Sequence, residues 1–230
     1  IFWGWKRMNK KQKKSPYRIP LISVIIVGVL LTVALFLRSE TFGTMPKGEY
    51  QARIEQSPQF DRDQNMFVNR RPGILETMTV WESFWADPFG QDEPNFLFNS
   101  NQGDPETPLP EIKNPNLANF KENENGLKFI WLGHWTVLMS IDGKTILVDP
   151  VFSDYASPVP IAAKRFQASA LKLEQLPPID LILLSHDHYD HLDIGTIKFF
   201  VDKDVSFLTP LGVGAHLRYW GIDGNVIPPI

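Results

Sequence analysis

The feature that most constrains this chain is a short run of metal-binding side chains at residues 186–191, which reads His-Asp-His-Tyr-Asp-His. Three of the five histidines of the chain lie in this run, together with two carboxylates. The run directly follows the apolar segment 179–185, whose composition predicts a buried strand. Imidazole and carboxylate are ligands that divalent transition metals prefer. The pattern therefore favours a metal site at the end of a buried strand over a solvated polar loop.

The spacing within the run predicts two metal positions. In an extended stretch, residues i and i+2 point to the same side, so His186 and His188 can bind one metal together. Asp190 and His191 follow where the chain enters a predicted helix over 193–201, and they can face a second metal close by. Two metals about 3.5–4 Å apart are the usual arrangement for hydrolysing phosphate esters. Because the chain has no cysteine, a metal here must be held by histidine and carboxylate.

This run resembles the signature of the metallo-β-lactamase superfamily. The resemblance implies that His186 and His188 bind the first metal and that Asp190 and His191 bind the second. It makes Asp190 the candidate catalytic residue as well. It also implies an α/β fold of the αβ/βα sandwich type and two divalent metal ions. Zinc is the first choice for both, and iron or manganese would suit the same ligand types.

Further motifs, from about residue 49 to the end, resemble one branch of that superfamily. The branch is the group around N-acylphosphatidylethanolamine-hydrolysing phospholipase D and its bacterial relatives. The resemblance implies that Asp149 supports the metal ligands from behind, although a simple turn at the end of a strand is the alternative. It gives His134 a structural or supporting role and not that of a metal ligand. The motifs are Trp131-Leu132-Gly133-His134, Asp142-Gly143-Lys144, Val148-Asp149-Pro150-Val151-Phe152, Ala156-Ser157-Pro158, Lys164-Arg165-Phe166, Leu176-Pro177-Pro178-Ile179-Asp180 and Leu211-Gly212-Val213-Gly214.

The function that this resemblance implies is metal-dependent hydrolysis, in the first place of a phosphodiester in a phospholipid. A lactonase or another ester hydrolase of the same superfamily is one alternative, and a non-catalytic membrane-anchored protein is another. Superfamily members take further ligands from a second half of the fold. No histidine follows His216, and Asp223 lacks a matching context. We therefore expect residues 127–230 to be the N-terminal half of the domain, which alone would bind metal weakly.

The N-terminal region predicts a membrane anchor. Residues 1–18 form a basic tail with seven positive charges and no negative one, and residues 19–37 contain no charge. A run of 19 uncharged residues in which only Ser23 and Thr32 are polar can cross a bilayer core of about 30 Å as a helix. The positive-inside rule then places the N-terminus in the cytoplasm and the hydrolase domain on the opposite side. A cleaved signal peptide is the alternative interpretation.

The charge distribution argues against a nucleic-acid partner. All 26 acidic residues lie after residue 37, together with 16 of the 23 basic ones. A globular part that binds nucleic acid carries a basic face, which this composition does not provide. The expected partners are instead the membrane, through residues 19–37, and a phospholipid or other small ester as substrate.

Residues 38–126 are expected to form an extension that wraps the domain surface. Within it, residues 73–88 have apolar side chains at helical spacing, either for packing on the domain or for contact with lipid. Residues 91–116 are rich in proline and asparagine, which predicts an extended segment.

From residue 127 onward the pattern turns to strands. Strands are predicted over 127–132, 135–141 and 144–148, with Asp142-Gly143 as a two-residue hairpin turn. A further strand over 205–208 and a helix over 211–220 follow. His216 lies in that helix, where we expect it to be a packing or surface residue.

Overall fold

The computed structural model describes residues 21–71, 105–111, 117, 120, 126–158, 163–224 and 226–227. The chain divides into two compact units, Ile1–Ser39 and Glu40–Ile230. The predicted helix over 73–88 and most of the predicted extended segment over 91–116 lie outside the described residues. The predicted domain boundaries at residues 37 and 126 stay predictions.

A helix of the first unit lies within the predicted membrane anchor over residues 19–37. This helix, α1 (Leu21–Leu37), has 17 residues. No helix in the described parts of the chain is both long and apolar enough to cross a membrane. The predicted sidedness of the protein depends on such a helix and stays a prediction.

The second unit begins with short elements that precede its main sheet. A 3-10 turn at Glu40–Phe42 is followed by helix α2 (Glu49–Gln56). Strands β1 (Phe60–Asp61) and β2 (Met66–Phe67) then pair antiparallel.

A six-stranded mixed sheet forms the centre of the second unit, and its spatial order follows the chain from β3 to β8. The strands β3, β4 and β5 are antiparallel neighbours, whereas β5 to β8 run parallel. Their bounds are Leu127–Trp131 for β3, Val137–Ile141 for β4, Lys144–Val148 for β5, Leu181–Leu183 for β6, Ser206–Leu208 for β7 and Val226–Ile227 for β8.

The predicted hairpin between β4 and β5 is confirmed. Its turn residues Asp142 and Gly143 have φ angles of 47° and 76°, the positive values that a tight two-residue hairpin requires. Strand β4 begins at Val137, two residues later than predicted. The reason is a turn in which the Thr136 amide donates to the Gly133 carbonyl over 3.0 Å.

Two short helices complete the unit, α3 (Ile194–Phe199) and α4 (Gly214–Tyr219). They contribute Ile197 and Leu217 to the same apolar cluster as one face of the sheet. That face presents a continuous row across four paired strands, and all of its members are at most 1% exposed: Leu138, Leu147, Ile182 and Phe207. Burial of this row against the helices fixes the register of the strands, because a slip of one residue would turn each side chain to the opposite face.

The topology brings the predicted site residues to one edge of the sheet. Strand β3 runs parallel to β5 because both are antiparallel to β4, and β6 is parallel to β5. The carboxyl ends of these three strands therefore lie at the same edge. His134 follows β3, Asp149 follows β5, and the run 186–191 follows β6.

Candidate metal centre

Asp149 occupies the centre of the hydrogen-bond network at this edge. Its Oδ2 lies 2.9 Å from His191 Nδ1 and accepts from the Ser185 hydroxyl over 2.7 Å, while its Oδ1 accepts from the Ser185 amide over 2.7 Å. Both Asp149 and His191 are buried. A carboxylate only accepts, so His191 carries its hydrogen on Nδ1 and leaves Nε2 free for a metal. Asp149 thus contacts both Ser185 and the ring of His191, and its role behind the metal ligands stays a prediction.

The Ser185 hydroxyl fixes the tautomer of His186. The Ser185 hydroxyl has one hydrogen, which it donates to Asp149, so its oxygen accepts from His186 Nδ1 at 2.9 Å. His186 then also has Nε2 free, and its ring centroid lies 4.0 Å from that of His191. Burial lowers the pKa of His186, and the neighbouring His191 and His188 lower it further. A low pKa favours the neutral ring, which is the form that binds metal.

His188 lies beside His186, with ring centroids 4.5 Å apart. The two rings are the pair that the sequence predicts for the first metal. Their proximity is what residues i and i+2 of an extended stretch provide. The assignment of this pair to a metal stays a prediction.

Asp190 and His134 meet across the site. His134 Nε2 lies 2.9 Å from Asp190 Oδ2, and His191 Nε2 lies 3.6 Å from the same oxygen. Together these three residues offer ligand atoms that all lie within 4.8 Å of one another. Because the carboxylate only accepts, His134 donates through Nε2 and so orients Asp190. The expectation that His134 is not a metal ligand stays a prediction. Burial acts to raise the pKa of Asp190, but the bond from His134 and the nearby His191 bring that pKa below its ordinary value.

His134 and Asp149 both adopt positive φ angles, 50° and 39°. His and Asp are among the residues that tolerate this region best, although it remains uncommon for any side chain other than glycine. The His134 carbonyl accepts from Trp131 Nε1 over 2.7 Å, which holds the turn in place. Two such residues facing one cluster are typical of a functional site.

Arg165 and Thr136 tie the strand ends together behind the cluster. Arg165 Nη1 donates to the Val151 carbonyl over 2.5 Å, and Nη2 donates to the Leu132 carbonyl over 3.3 Å. The Thr136 hydroxyl donates to the Asp149 carbonyl over 2.9 Å. Burial lowers the pKa of Arg165 despite the carboxylates of Asp193 and Asp154.

The donor set fits a divalent metal. His186 and His191 present unprotonated Nε2 atoms, Asp190 presents a carboxylate with a lowered pKa, and Asp149 fixes the ring of His191 from behind. A metal-bound histidine characteristically donates its other ring nitrogen to a carboxylate in this way. The arrangement therefore has the ligand chemistry of a borderline-soft divalent ion such as zinc.

Two residues at the site were not identified from the sequence. Ser185 contacts Asp149, His186 and His191, and its position directly before the run was the available signal. His216 lies on α4 with a side chain only 14% exposed, and its Nε2 is 3.7 Å from Asp187 Oδ2. The sequence carries no signal for this contact, because 29 positions separate the two residues and only the packing of α4 on the sheet joins them.

Residues 144–228 match the family described as Beta-lactamase superfamily domain. These residues belong to the β-lactamase superfamily. The superfamily match runs from β5 to β8 and contains Asp149 and the run 186–191, so the resemblance inferred from the sequence is confirmed. The mixed sheet with its helices is an α/β fold of the metallo-β-lactamase kind.

Several curated proteins are similar to this chain. An uncharacterised protein of Mycobacterium tuberculosis is 37% identical over 181 residues, which cover 75% of this chain and 44% of that protein. The N-acyl-phosphatidylethanolamine-hydrolyzing phospholipase D 1 of Caenorhabditis elegans is 40% identical over 106 residues, 45% of this chain and 30% of that protein. A UPF0173 metal-dependent hydrolase of Hyperthermus butylicus is 40% identical over 62 residues, 27% of this chain and 22% of that protein. The chain thus spans less than half the length of each of these relatives.

Proposed function

We propose that this chain is part of a metal-dependent hydrolase that cleaves a phosphodiester in a phospholipid of the N-acylphosphatidylethanolamine type. The observation that carries the proposal is the pairing of Asp149 with His191, which leaves His191 Nε2 beside the Asp190 carboxylate. The phospholipid class is supported by the identity of 40% to the nematode protein, whose name describes that hydrolysis.

The residues assigned to the metals are those of the run 186–191. His186 and His188 would hold one divalent ion and Asp190 and His191 a second, with zinc as the first candidate. An ion at this place would lower the pKa of a water molecule toward about 7 and stabilise negative charge on phosphoryl oxygens. The protein's own contribution is orientation: Asp149 fixes His191, and His134 fixes the Asp190 carboxylate.

The experiment that tests the function compares two substrates on one preparation. The full chain, loaded with zinc, is assayed with N-acylphosphatidylethanolamine in mixed micelles and with a simple lactone. The proposal predicts turnover of the phospholipid that His188→Ala abolishes and that Asp202→Asn, a substitution at an exposed carboxylate outside the site, leaves unchanged.

Two other results of this assay would each favour a different function. Turnover of the lactone alone, lost in His188→Ala, would replace the phospholipid proposal with a lactonase or general esterase. Zinc binding that His188→Ala removes, without turnover of either substrate, would make this chain a metal-binding protein without catalysis.

A further inference from the structure

The N-terminal part of the second unit packs against helix α4 through the ring of His216. The Thr44 amide donates to His216 Nδ1 over 3.0 Å, and Trp220 stacks on the ring with centroids 5.8 Å apart. Gly43 approaches so closely that a Cβ there would lie 1.9 Å from His216 Nδ1. Residues 40–56, called the strap below, thus fix this ring on one side.

Several other contacts anchor the strap to the same unit. The Glu40 carbonyl accepts from Trp220 Nε1 over 2.7 Å, and its carboxylate lies 2.6 Å from Lys198 Nζ. The Tyr50 hydroxyl accepts from Arg218 Nε over 2.6 Å. Ile54 is 5% exposed. A segment held at both of its ends and at its middle restrains the ring that it contacts.

The other edge of the His216 ring faces the metal-ligand run. Because Nδ1 accepts from the Thr44 amide, the hydrogen of the neutral ring is on Nε2. That nitrogen lies 3.7 Å from Asp187 Oδ2. Asp187 stands between His186 and His188, the two residues assigned to the first metal.

We propose that the strap positions the first metal pair through His216. The Thr44 amide fixes the ring, the ring attracts the Asp187 carboxylate, and Asp187 sets the orientation of the backbone that carries His186 and His188. This inference rests on the metal site of the proposed function, and it makes His216 a positioning residue rather than a ligand.

The physical need for such a contact lies in the conformation of the run. Residues 184–188 form neither helix nor strand. Backbone hydrogen bonds hold the two ends of this segment, where the Leu184 amide donates to the Leu208 carbonyl and the His188 carbonyl accepts from the amides of His191 and Leu192. Asp149 and Ser185 restrain the rings of His191 and His186 through contacts at the end of β5. Asp187 points to a different element, α4. Contacts outside the ligand set typically change metal affinity by about 10- to 100-fold when they are removed.

The test measures the zinc dissociation constant of the full chain by competition with a chromophoric chelator. His216→Phe keeps a flat ring for Trp220 but removes both nitrogen contacts, and it is expected to raise that constant about tenfold or more. His216→Gln, which places an amide donor near the position of Nε2, is expected to recover most of the affinity. In an Asp187→Ala background, His216→Phe should cause no further change, because the two substitutions remove the same link.

Tyr219→Phe serves as the matched control, since Tyr219 is an exposed residue of the same helix. It is expected to leave the zinc constant within about twofold. Equal zinc affinity in His216→Phe and the unaltered chain would overturn the positioning role and leave the metal site intact. The positioning role would also be overturned if His216→Phe raised the zinc dissociation constant by the same factor in the Asp187→Ala background as in the unaltered chain. If the unaltered chain binds no more zinc than His188→Ala, the metal site is wrong and the positioning role with it.

Discussion

At the scale of single residues, the pairing of Asp149 with His191 is the contact on which the site most depends. Asp149→Asn keeps the shape of the side chain and tolerates the positive φ of 39°. The asparagine side chain would face His191 Nδ1 either with its NH2 group, which cannot accept, or with a neutral oxygen, which accepts more weakly than a carboxylate. In either case the substitution no longer fixes the His191 tautomer. We expect zinc affinity to fall about 10- to 100-fold, as measured by chelator competition. Asp202→Asn, at an exposed position, should bind zinc as the unaltered chain does; an equal loss in both would contradict the role of Asp149.

The Asp187 carboxylate gives the site a pH dependence when metal is removed by a chelator. The nearby His216 side chain is the largest cause that brings the pKa of Asp187 below its ordinary value. A depressed folded-state pKa stabilises the fold above the unfolded-state pKa of about 4, and this stabilisation is lost as the pH falls through the lower folded value. We therefore expect the unaltered chain to be more stable than Asp187→Asn at pH 7 and equally stable at about pH 2. Urea unfolding at both pH values measures this, and a difference that persists at the lower pH would contradict the assignment.

At the scale of secondary structure, Asp193 joins helix α3 to the loop after β5. It is fully buried, and its carboxylate accepts from the amides of Phe152, Ser153 and Gly195 at 3.2, 3.0 and 2.9 Å. It also accepts from the Thr196 hydroxyl over 2.6 Å. One side chain therefore caps the helix and holds the loop that follows Asp149.

Asp193→Ala should cost more than an ordinary helix cap. Loss of a cap costs about 1 kcal/mol, and each buried donor left without a partner adds about 1–3 kcal/mol. We expect urea unfolding to show a loss of at least about 3 kcal/mol. Asp204→Ala, at an exposed position after the same helix, should change stability by less than about 0.5 kcal/mol. Similar losses in the two variants would mean that the network around Asp193 contributes little.

The strap makes a second prediction at this scale, through Gly43. Both Gly43 and Gly143 have positive φ angles, 65° and 76°. A Cβ at Gly143 would meet open space, whereas one at Gly43 would collide with His216. Gly143→Ala should therefore cost only the backbone strain of about 1–2 kcal/mol, and Gly43→Ala should cost clearly more. Thermal unfolding of both variants measures the difference; equal costs would show that the strap does not press on His216.

For the whole molecule, metal binding should appear as added stability. A ligand that binds only the folded state at 100 times its dissociation constant stabilises that state by about 2.7 kcal/mol. For a chain of this size, this corresponds to a rise in Tm of about 5–10 °C on adding zinc, reversed by a chelator. His188→Ala should show no such rise. An equal rise in that variant would mean that zinc acts elsewhere on the chain.

The parts of the fold that were predicted correctly are determined by residues close together in the sequence. The hairpin at Asp142-Gly143 and the strands beside it follow from turn chemistry and alternating side chains, which short stretches of sequence carry. The strand β8 and the contact of His216 with Asp187 were not predicted. They depend on the pairing of β8 with β7 and on the packing of α4, and neighbours in sequence say little about such distant contacts. A helix is present over Leu21–Leu37, within the predicted anchor over residues 19–37, and its role as a membrane span stays a prediction.

The sequence by itself determined the chemistry available to this protein. Its His-Asp-His-Tyr-Asp-His run supplies the ligand types, and the lack of cysteine leaves only histidine and carboxylate to hold a metal. Only the tertiary structure decided which ring nitrogen of His186 and of His191 is free. That choice depends on Asp149 and Ser185, which the parallel pairing of β5 and β6 brings beside His191 and His186. Hydrogen-bond partners far apart in the chain set the tautomer of a histidine, and only the register of the sheet places them within reach.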